Sequence, residues 1–215
     1  MSAALLLHYF PTPNGWKASI ALEEMGLPYE LRFVDIMRGE QHGDAFRQIS
    51  PNGRIPALED RETGARVFES GAILQYLGRK SGRFYPSGAV AQAQVDSWLH
   101  WQMAGLGPMT GQVTWFRRAA QKPSRDPADT GYAIHRFEKE MRRLYDVLEA
   151  RLSGRQFLCD AYSIADMACW PWVHRHHDYL GELARFPNIK LWHSAIAERP
   201  AVQRAIALAL PMKED

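Results

Sequence analysis

The sequence predicts two domains of different fold class, an α/β domain at residues 1–83 and an all-α domain at residues 90–215. Two observations support this prediction. Before residue 83, apolar runs of strand length alternate with amphipathic helical patterns, whereas after FYPSG (residues 84–88) only helical patterns remain. The length of 215 residues suits this division, because it allows one large domain or two small ones.

Four strands are predicted in the first domain, at residues 4–10, 29–33, 55–59 and 66–69. One helix has its apolar residues at i, i+3, i+4 and i+7 and ends at Gly26, and a second helix is capped by Ser70 and ends near Gly82. A short helix is predicted around residues 44–48. The order βαβ followed by ββα implies a parallel pair and then a hairpin. A mixed four-stranded sheet of this kind is the thioredoxin-like arrangement.

The second domain shows helical periodicity without strand alternation. The polar segment KPSRDPADTG (residues 122–131) is predicted to be a loop between two long helices. SIADMA (residues 163–168) predicts a capping box, with Ser163 at the N-cap and Asp166 three residues later. This motif predicts the start of a buried helix, and we expect its residues to have no catalytic role.

Composition narrows the class of protein. The chain is 46% hydrophobic and 23% charged, as is ordinary for a soluble globular protein. With 26 basic and 24 acidic residues the formal net charge is only +2, and the sequence contains no dense run of Lys and Arg. Both observations argue against a nucleic-acid partner. No signal peptide or membrane span is recognisable, so no membrane partner is expected. Two cysteines without a CxxC motif indicate a reducing compartment, and we expect a cytoplasmic protein.

PTPNGWK (residues 11–17) is predicted to be the turn between the first strand and the first helix, with Thr12, Pro13, Asn14 and Gly15 as its turn residues. In thioredoxins this turn carries a reactive cysteine, whose thiolate the helix N-terminus stabilises. Here the turn has no cysteine. Whether the segment is only a turn or whether the helix N-terminus holds a chemical group is left open by its residues alone.

Two further segments could contact a peptide-like ligand. A proline is unusual at the start of a strand, and either a cis Ile55–Pro56 bond that exposes the Ile55 backbone or an edge strand with trans Pro56 would explain it. Glu69 and Ser70 stand where a strand passes into a helix, and together they match the ammonium and carboxylate groups of an α-amino acid. The alternative is that Ser70 only caps the helix and Glu69 is solvated.

Metal chemistry is not expected. His174, His177 and Asp178 of HRHHD would share a helical face, but their spacing matches no known zinc pattern, and we expect a partly exposed polar face. Cys169 is expected to be a small buried hydrophobic residue, and Cys159 has no recognisable activating neighbour. No metal site is therefore predicted.

Taken together, SPNGRIPALED, FESGAILQYL and YSIADMACWPWV resemble the cytosolic glutathione transferases over essentially the whole chain. PTPNGWK, GLGPMTGQ and GYAIHRF are similar to the bacterial Nu class, whose members are glutathione-dependent disulfide-bond oxidoreductases. The resemblance implies that a bound glutathione thiolate attacks a disulfide, with glutathione transferase or peroxidase activity as a minor possibility. The alternative is a non-catalytic glutathione-binding regulator or scaffold of the same fold.

The resemblance also implies roles for particular residues. Glu69 and Ser70 would hold the γ-glutamyl head of glutathione, and the backbone of Ile55, before a cis Pro56, would pair with its cysteinyl unit. The remaining implied contacts are Gln41 and Arg54 near the glycine carboxylate, and Thr12 and Asn14, as catalytic residues, beside the sulfur.

Two more residues are implied to complete the site. They are Gln102 of the helical domain and Arg136 of a neighbouring subunit in a homodimer. The site would hold two glutathione molecules or one glutathione disulfide. Other transferase classes place a Tyr, Ser or Cys beside the sulfur, and Tyr9 is a rival for that role. Its position in the strand, three residues before Thr12, favours the core or an interface instead.

Overall fold

A mixed four-stranded sheet forms the centre of the first half of the chain. Its strands are β1 (Leu5–Tyr9), β2 (Tyr29–Phe33), β3 (Ala57–Asp60) and β4 (Ala65–Phe68). The order across the sheet is β2-β1-β3-β4, with β1 parallel to β2 and antiparallel to β3, and with β3 antiparallel to β4. Every residue of β1 is buried because this strand lies inside the sheet. The predicted thioredoxin-like sheet is confirmed.

The structure is a computed structural model that describes residues 3–121 and 127–208, and for residues 127–129 it describes the backbone only. The helices in these ranges are α1 (Pro13–Met25), α2 (Asp44–Arg47), α3 (Ser70–Ser81), α4 (Ala89–Trp101), α5 (Gly107–Ala120), α6 (Pro127–Leu152), α7 (Ile164–His174), α8 (Pro187–Ala197) and α9 (Pro200–Ile206). A π-helical turn, Gln102–Leu106, joins α4 to α5, and short 3₁₀ turns lie at Glu40–His42, His176–Asp178 and Leu183–Arg185. Among the described helices, none combines the length and the apolar character that a membrane span requires.

Some element boundaries differ from the prediction. The third strand begins at Ala57 and not at residue 55, because Pro56 has no N–H to donate to a neighbouring strand. Of the predicted loop at 122–131, residues 122–126 lie outside the described residues, and residues 127–131 are the first turns of α6. Pro127 opens this helix, where its missing N–H costs no intrahelical hydrogen bond.

The described chain packs as two compact units. The first unit runs to Gln92 and resumes at Ala197, and the second unit is Ala93–Ile196. The sequence assigned every residue after 90 to the helical domain, whereas the structure places α9 in the first unit, against α1. Arg199 donates a 2.8 Å hydrogen bond to the buried carboxylate of Glu24, and the Ser19 hydroxyl donates to the Ala205 carbonyl at 3.4 Å.

The second unit contains the predicted capping box at the start of α7. Ser163 accepts at the N-cap from the helix backbone, and the Asp166 carboxylate accepts from the Ser163 N–H at 3.0 Å. Asp166 also accepts from the Trp192 indole at 2.8 Å and from the Leu158 N–H at 3.0 Å. Burial raises the pKa of this carboxyl to about 6. The motif is structural, as the sequence indicated.

The histidine-rich segment departs from its prediction. Helix α7 ends at His174, and His177 and Asp178 lie in a separate 3₁₀ turn, so these residues do not share one helical face. His174 Nδ1 instead lies 3.1 Å from His193 Nε2, and both rings stack on Trp170. In residues 3–121 and 127–208, no group of three His, Cys, Asp or Glu side chains is arranged to hold a metal ion.

Candidate functional site

Three chain segments meet at one edge of the sheet, where β1 ends and β3 begins. Ala57 pairs with His8 of β1 and with Phe68 of β4. The turn after β1, the residues before β3 and the start of α3 after β4 therefore leave the sheet at the same edge. These segments contain most of the predicted ligand contacts: Thr12, Asn14, Arg54, Ile55, Pro56, Glu69 and Ser70.

The turn after β1 is shorter than predicted. Thr12 is the N-cap of α1, and Pro13, Asn14 and Gly15 already belong to the first helical turn. The side-chain oxygen of Thr12 accepts a hydrogen bond of 3.2 Å from the Gly15 N–H. Pro13 suits the first helical position, since its N–H would have no intrahelical partner. The N-terminus of α1 therefore lies directly at this edge of the sheet.

Gly15 is needed for close packing and not for an unusual backbone conformation. A Cβ at this position would lie 2.1 Å from the Phe10 carbonyl oxygen and 3.1 Å from the Tyr9 ring. Only glycine allows the first turn of α1 to approach the end of β1 so closely. The position of Thr12 and Asn14 beside the end of β1 depends on this close approach.

The Thr12 hydroxyl can still donate a hydrogen bond. Its oxygen accepts from Gly15, and its distance to the Phe10 carbonyl oxygen is 3.5 Å, which is long for a hydroxyl donor. A hydroxyl has one proton and two lone pairs, so the cap leaves the proton able to turn toward a ligand. Thr12 and Asn14 are both partly buried at this point.

Tyr9 lies in the core. Its side chain is fully buried, with the ring edge-on to Phe33 at 5.8 Å between centroids. Burial raises the pKa of the phenol to about 12, so the tyrosinate form is disfavoured. These features favour the core role over a catalytic one.

Ile55 presents an unpaired peptide backbone beside this turn. The Ile55–Pro56 bond is cis, which settles the choice that the sequence left open. Strand pairing begins only at Ala57, and among the described residues the Ile55 N–H and C=O have no hydrogen-bond partner. The Ile55 side chain packs against a buried cluster formed by Val34, Phe46, Ile49 and Ala57. An extended peptide could therefore pair with Ile55 as an added strand.

The loop before Ile55 is closed by Ser50 and contacts the segment around Gln41. Ser50 Oγ donates to the Arg54 carbonyl at 2.9 Å, while the Arg54 side chain is exposed. Gly53 has φ of 61°, and a Cβ there would lie 3.2 Å from the Gln41 carbonyl oxygen. Gln41 Oε1 is buried and has no hydrogen-bond partner among the described residues. The segments that carry Gln41 and Arg54 therefore lie next to each other, with Gly53 at their contact.

Glu69 adopts an unusual backbone conformation at the start of α3. Its φ is 69° and its ψ is 119°, a region that costs a residue with a side chain about 1–3 kcal/mol. Such strain concentrates at ligand sites. The Glu69 carboxylate is exposed and accepts a 3.3 Å hydrogen bond from the side-chain amide of Asn52.

Ser70 is not the N-cap of α3, contrary to the prediction. Glu69 occupies that position and makes no side-chain capping bond, and Ser70 is the first helical residue. The Ser70 hydroxyl is buried and lies 3.4 Å from the ammonium nitrogen of Lys17. Glu69, with its φ of 69°, is the last non-helical residue, so α3 begins one residue before the predicted start.

Sequence reasoning missed two residues of this edge, Lys17 and Asn52. Lys17 is in α1 among apolar residues, and no polar residue near it in sequence indicates its contact with Ser70, 53 residues away. Asn52 belongs to a turn-forming PNG segment, so turn formation alone explained it. Nothing local to either residue indicates its long-range partner.

Two predicted contacts lie in the second unit. Gln102 is fully buried as the first residue of the π-helical turn, and a Cβ on Gly107 would lie 2.7 Å from its side-chain nitrogen. Arg136 is exposed on α6. The hydrogen bond from Arg143 is the main cause that lowers the pKa of Glu140, and the charge of Arg136 adds a smaller effect in the same direction. The roles expected for both remain predictions.

Comparison with known proteins gives matches along most of the chain. The family model "Glutathione S-transferase, N-terminal domain" matches residues 3–79, and "Glutathione S-transferase, C-terminal domain" matches residues 131–195. The disulfide-bond oxidoreductase YfcG of Escherichia coli is 43% identical over 94% of each chain.

Solved structures are similar over the same extent. A glutathione transferase from Pseudomonas putida with one glutathione disulfide bound per subunit is 37% identical, with a TM-score of 0.87 over 97% of this chain and 93% of that one. A glutathione transferase from Burkholderia graminis with two glutathione molecules bound per subunit is 39% identical, with a TM-score of 0.86 over 95% of this chain and 88% of that one.

Proposed function

The chain belongs to the glutathione S-transferase family, and from this premise we propose that it is a glutathione-dependent disulfide-bond oxidoreductase. The observation that supports the proposal is the meeting of three features at one sheet edge. These are a helix N-terminus without a cysteine, an unpaired backbone at Ile55 and the adjacent residues Glu69 and Ser70. Both cysteines are buried in the second unit, so the reacting thiol has to come from the ligand.

The residues at this edge match the groups of glutathione. The exposed Glu69 carboxylate suits the ammonium of the γ-glutamyl head, and the Ser70 hydroxyl at the N-terminus of α3 suits its carboxylate. The Ile55 backbone offers one donor and one acceptor to the cysteinyl unit. Gln41 and the Arg54 guanidinium suit the terminal glycine carboxylate. Each group of the tripeptide thus meets a complementary charge or hydrogen-bonding group.

The N-terminus of α1 can stabilise a sulfur anion without a general base. Lowering a thiol pKa by about two units requires roughly 2.7 kcal/mol. A helix N-terminus supplies roughly 0.3–1 kcal/mol, and up to about 2 kcal/mol when partly buried. A hydrogen bond to a charged group adds about 1.5–3 kcal/mol. The Thr12 hydroxyl and the Asn14 amide are sufficient on this scale.

Glutathione supplies the thiolate that attacks one sulfur of the disulfide and releases the other as a thiolate. A second glutathione thiolate then attacks the glutathione sulfur of the mixed disulfide, which forms glutathione disulfide and releases the other half of the substrate as a thiolate, so the two glutathione molecules supply the two electrons. The chain's part is to hold the first sulfur as an anion and to leave it accessible. Conjugation to electrophiles or peroxide reduction would use the same anion as minor activities.

The rest of the proposal rests on the family resemblance. It comprises a cytoplasmic location, a homodimer and roles in the site for Gln102 and for Arg136 contributed across the dimer interface. It also comprises a site large enough for two glutathione molecules or one glutathione disulfide, as in the two structural relatives described above.

The test is the reduction of 2-hydroxyethyl disulfide by glutathione, followed as NADPH oxidation through added glutathione reductase. We expect turnover proportional to the protein concentration, and a loss of about tenfold or more in kcat/KM for Asn14→Ala. Ser97→Ala, which removes an exposed hydroxyl bonded only within α4, is the control. Glutathione binding without turnover would favour the non-catalytic regulator, and full activity of Asn14→Ala would refute the sulfur site.

A further inference from the structure

His42 is an exposed histidine that follows Gln41 in the 3₁₀ turn Glu40–His42. We propose that His42 donates a hydrogen bond to the glycine carboxylate of glutathione, and that Gln41 is the positioning residue that sets this donor. The inference rests on the proposed function. It moves the direct contact with the glycine carboxylate from the Gln41 side chain to the His42 ring.

The side-chain amide of Gln41 is engaged inside the protein. Its nitrogen donates to the Ile36 carbonyl at 3.4 Å and lies 3.2 Å from Nε2 of His42. An amide nitrogen carries two protons, and these two contacts account for both. The side-chain oxygen of Gln41 is buried and therefore out of reach of a ligand. Neither end of this side chain is left to bind a carboxylate.

The Ile36 carbonyl also fixes the direction in which the Gln41 amide faces. The reverse orientation would place the Gln41 oxygen 3.4 Å from the Ile36 oxygen, with no proton between the two acceptors. The amide nitrogen therefore faces both Ile36 and His42. Because an amide nitrogen can only donate, Nε2 of His42 must accept in the contact between them.

The accepting Nε2 determines where the proton of His42 lies. A neutral imidazole that accepts at Nε2 carries its proton on Nδ1. Among the described residues, Nδ1 of His42 has no hydrogen-bond partner. It lies 3.5 Å from the position that a Cβ on Gly53 would occupy, two residues before Ile55. Since glycine follows the cysteinyl unit that would pair with Ile55, the Nδ1 proton is near the expected place of the glycine carboxylate.

The charges around Gly53 favour a carboxylate as well. The Arg47 Nε lies 4.0 Å from the same Cβ position, and Arg54, the next residue in the chain, has an exposed side chain. Within the part of the chain that the structure describes, neither guanidinium takes part in an ion pair. Two guanidinium groups and the His42 N–H therefore supply donors near Gly53, and a carboxylate is the ligand group that such donors bind best.

The first test determines the His42 tautomer in the full chain without ligand. Long-range proton–nitrogen correlation NMR at about pH 8, where an ordinary imidazole is neutral, distinguishes the two protonated nitrogens. We expect the proton on Nδ1 in the wild-type protein and a larger Nε2–H population in Gln41→Met, because the hydrogen bond at one ring nitrogen decides which nitrogen is protonated. A wild-type ring protonated at Nε2, or an unchanged ring in Gln41→Met, would overturn the inference.

The second test uses isothermal titration calorimetry to compare glutathione with its C-terminal amide, in which a neutral carboxamide replaces the glycine carboxylate. We expect His42→Leu to weaken glutathione binding about fivefold and to leave the affinity for the amide within about twofold of wild type. His42→Asn should keep most of the affinity, because its amide nitrogen can take the place of the Nδ1 donor. His177→Leu, which changes an exposed histidine of the second unit, should change neither affinity.

Gln41→Met should weaken glutathione binding only while His42 is present, so the double variant should bind like His42→Leu. Equal weakening of both ligands by His42→Leu, or no weakening of either, would overturn the inference. Failure of the wild-type protein to bind glutathione would refute the proposed function and this inference together. Normal wild-type binding and turnover, with an unselective effect at His42, would refute this inference alone.

Discussion

The side-chain amide of Asn52 donates a 3.3 Å hydrogen bond to the carboxylate of Glu69, and so joins the loop before β3 to the residue that precedes α3. Both side chains are exposed, so the bond adds little to the stability of the fold. We expect this bond to orient the Glu69 carboxylate at the proposed glutathione site.

Replacing Asn52 by Ala should therefore raise KM for glutathione about threefold with little change in kcat. Steady-state kinetics of the disulfide reductase reaction measure this split. The double variant with Glu69→Ala provides the control, because Asn52→Ala should add nothing once the carboxylate is gone. Additive effects of the two changes would show that Asn52 acts independently of Glu69.

Glu69→Gly should separate stability from binding. Glycine adopts a φ near 69° without strain, so we expect the free energy of unfolding to rise by about 1 kcal/mol while glutathione affinity becomes weaker but stays measurable. Glu69→Ala loses the same carboxylate but keeps the strain, and its stability should stay near that of wild type. Urea unfolding and calorimetric titration measure the two effects. A Glu69→Gly protein less stable than Glu69→Ala would contradict the strain assigned to this residue.

Thr12 combines a helix cap with a hydroxyl donor, and substitutions can separate the two roles. Thr12→Ala removes the acceptor for the Gly15 N–H and should lower the free energy of unfolding by about 1 kcal/mol. Thr12→Asp should restore the cap but abolish disulfide reduction, since its carboxylate would repel a sulfur anion. Thr12→Ser should keep both properties. Activity retained in Thr12→Asp would place the sulfur elsewhere.

Gly15→Ala should be severely destabilising, because its Cβ would collide with the Phe10 carbonyl at 2.1 Å and neither backbone can move alone. We expect a loss of about 3 kcal/mol in the free energy of unfolding. Gly131→Ala is the matched control, since Gly131 lies in α6 and no atom of the described residues comes within 4 Å of its added Cβ. That variant should gain up to about 1 kcal/mol from helix propensity. Equal effects of the two substitutions would contradict the close approach at Gly15.

His193 should make the stability depend on pH. Burial, followed by the neighbouring His174, His176 and His177, lowers the pKa of His193 from 6.5 to about 4. The unfolded chain therefore binds a proton at a higher pH than the folded chain, and stability falls as the pH drops from about 6.5 toward 4. After allowance for solvent screening, His193 should contribute a loss of about 1 kcal/mol between pH 7 and pH 5.

Urea unfolding at the two pH values measures this loss. His193→Gln should reduce it, whereas His135→Gln, which changes an exposed histidine on α6, should not. An unchanged pH dependence in His193→Gln would assign the effect to the other rings of the cluster.

The features that were predicted correctly are those that depend on residues close together in the sequence. The apolar run of β1, the helix end at Gly26 and the capping box of Ser163 and Asp166 each depend on residues a few positions apart. The resemblance to the glutathione transferases is confirmed, and its Nu-class-like part agrees with a bacterial disulfide-bond oxidoreductase among the relatives.

Features that depend on distant partners were not predicted. Lys17 contacts Ser70, which lies 53 residues away, and Asn52 contacts Glu69, which lies 17 residues away. The positive φ of Glu69 has no signal in its residue type, because Glu is not a residue that favours this region. Patterns in a single sequence reflect contacts between residues that are close together in that sequence. The contacts described here join residues that become neighbours only when the chain folds.

The packing of α9 on α1 has a consequence for how the chain is made. Residues near the start of the chain, such as Ser19 and Glu24, find their partners at Ala205 and Arg199. During synthesis, the part of the chain that carries the proposed glutathione site therefore leaves the ribosome long before α9, which packs against it. Until that last helix emerges, one side of α1 stays uncovered, so a nascent or prematurely terminated chain presents a surface that chaperones and proteases can recognise.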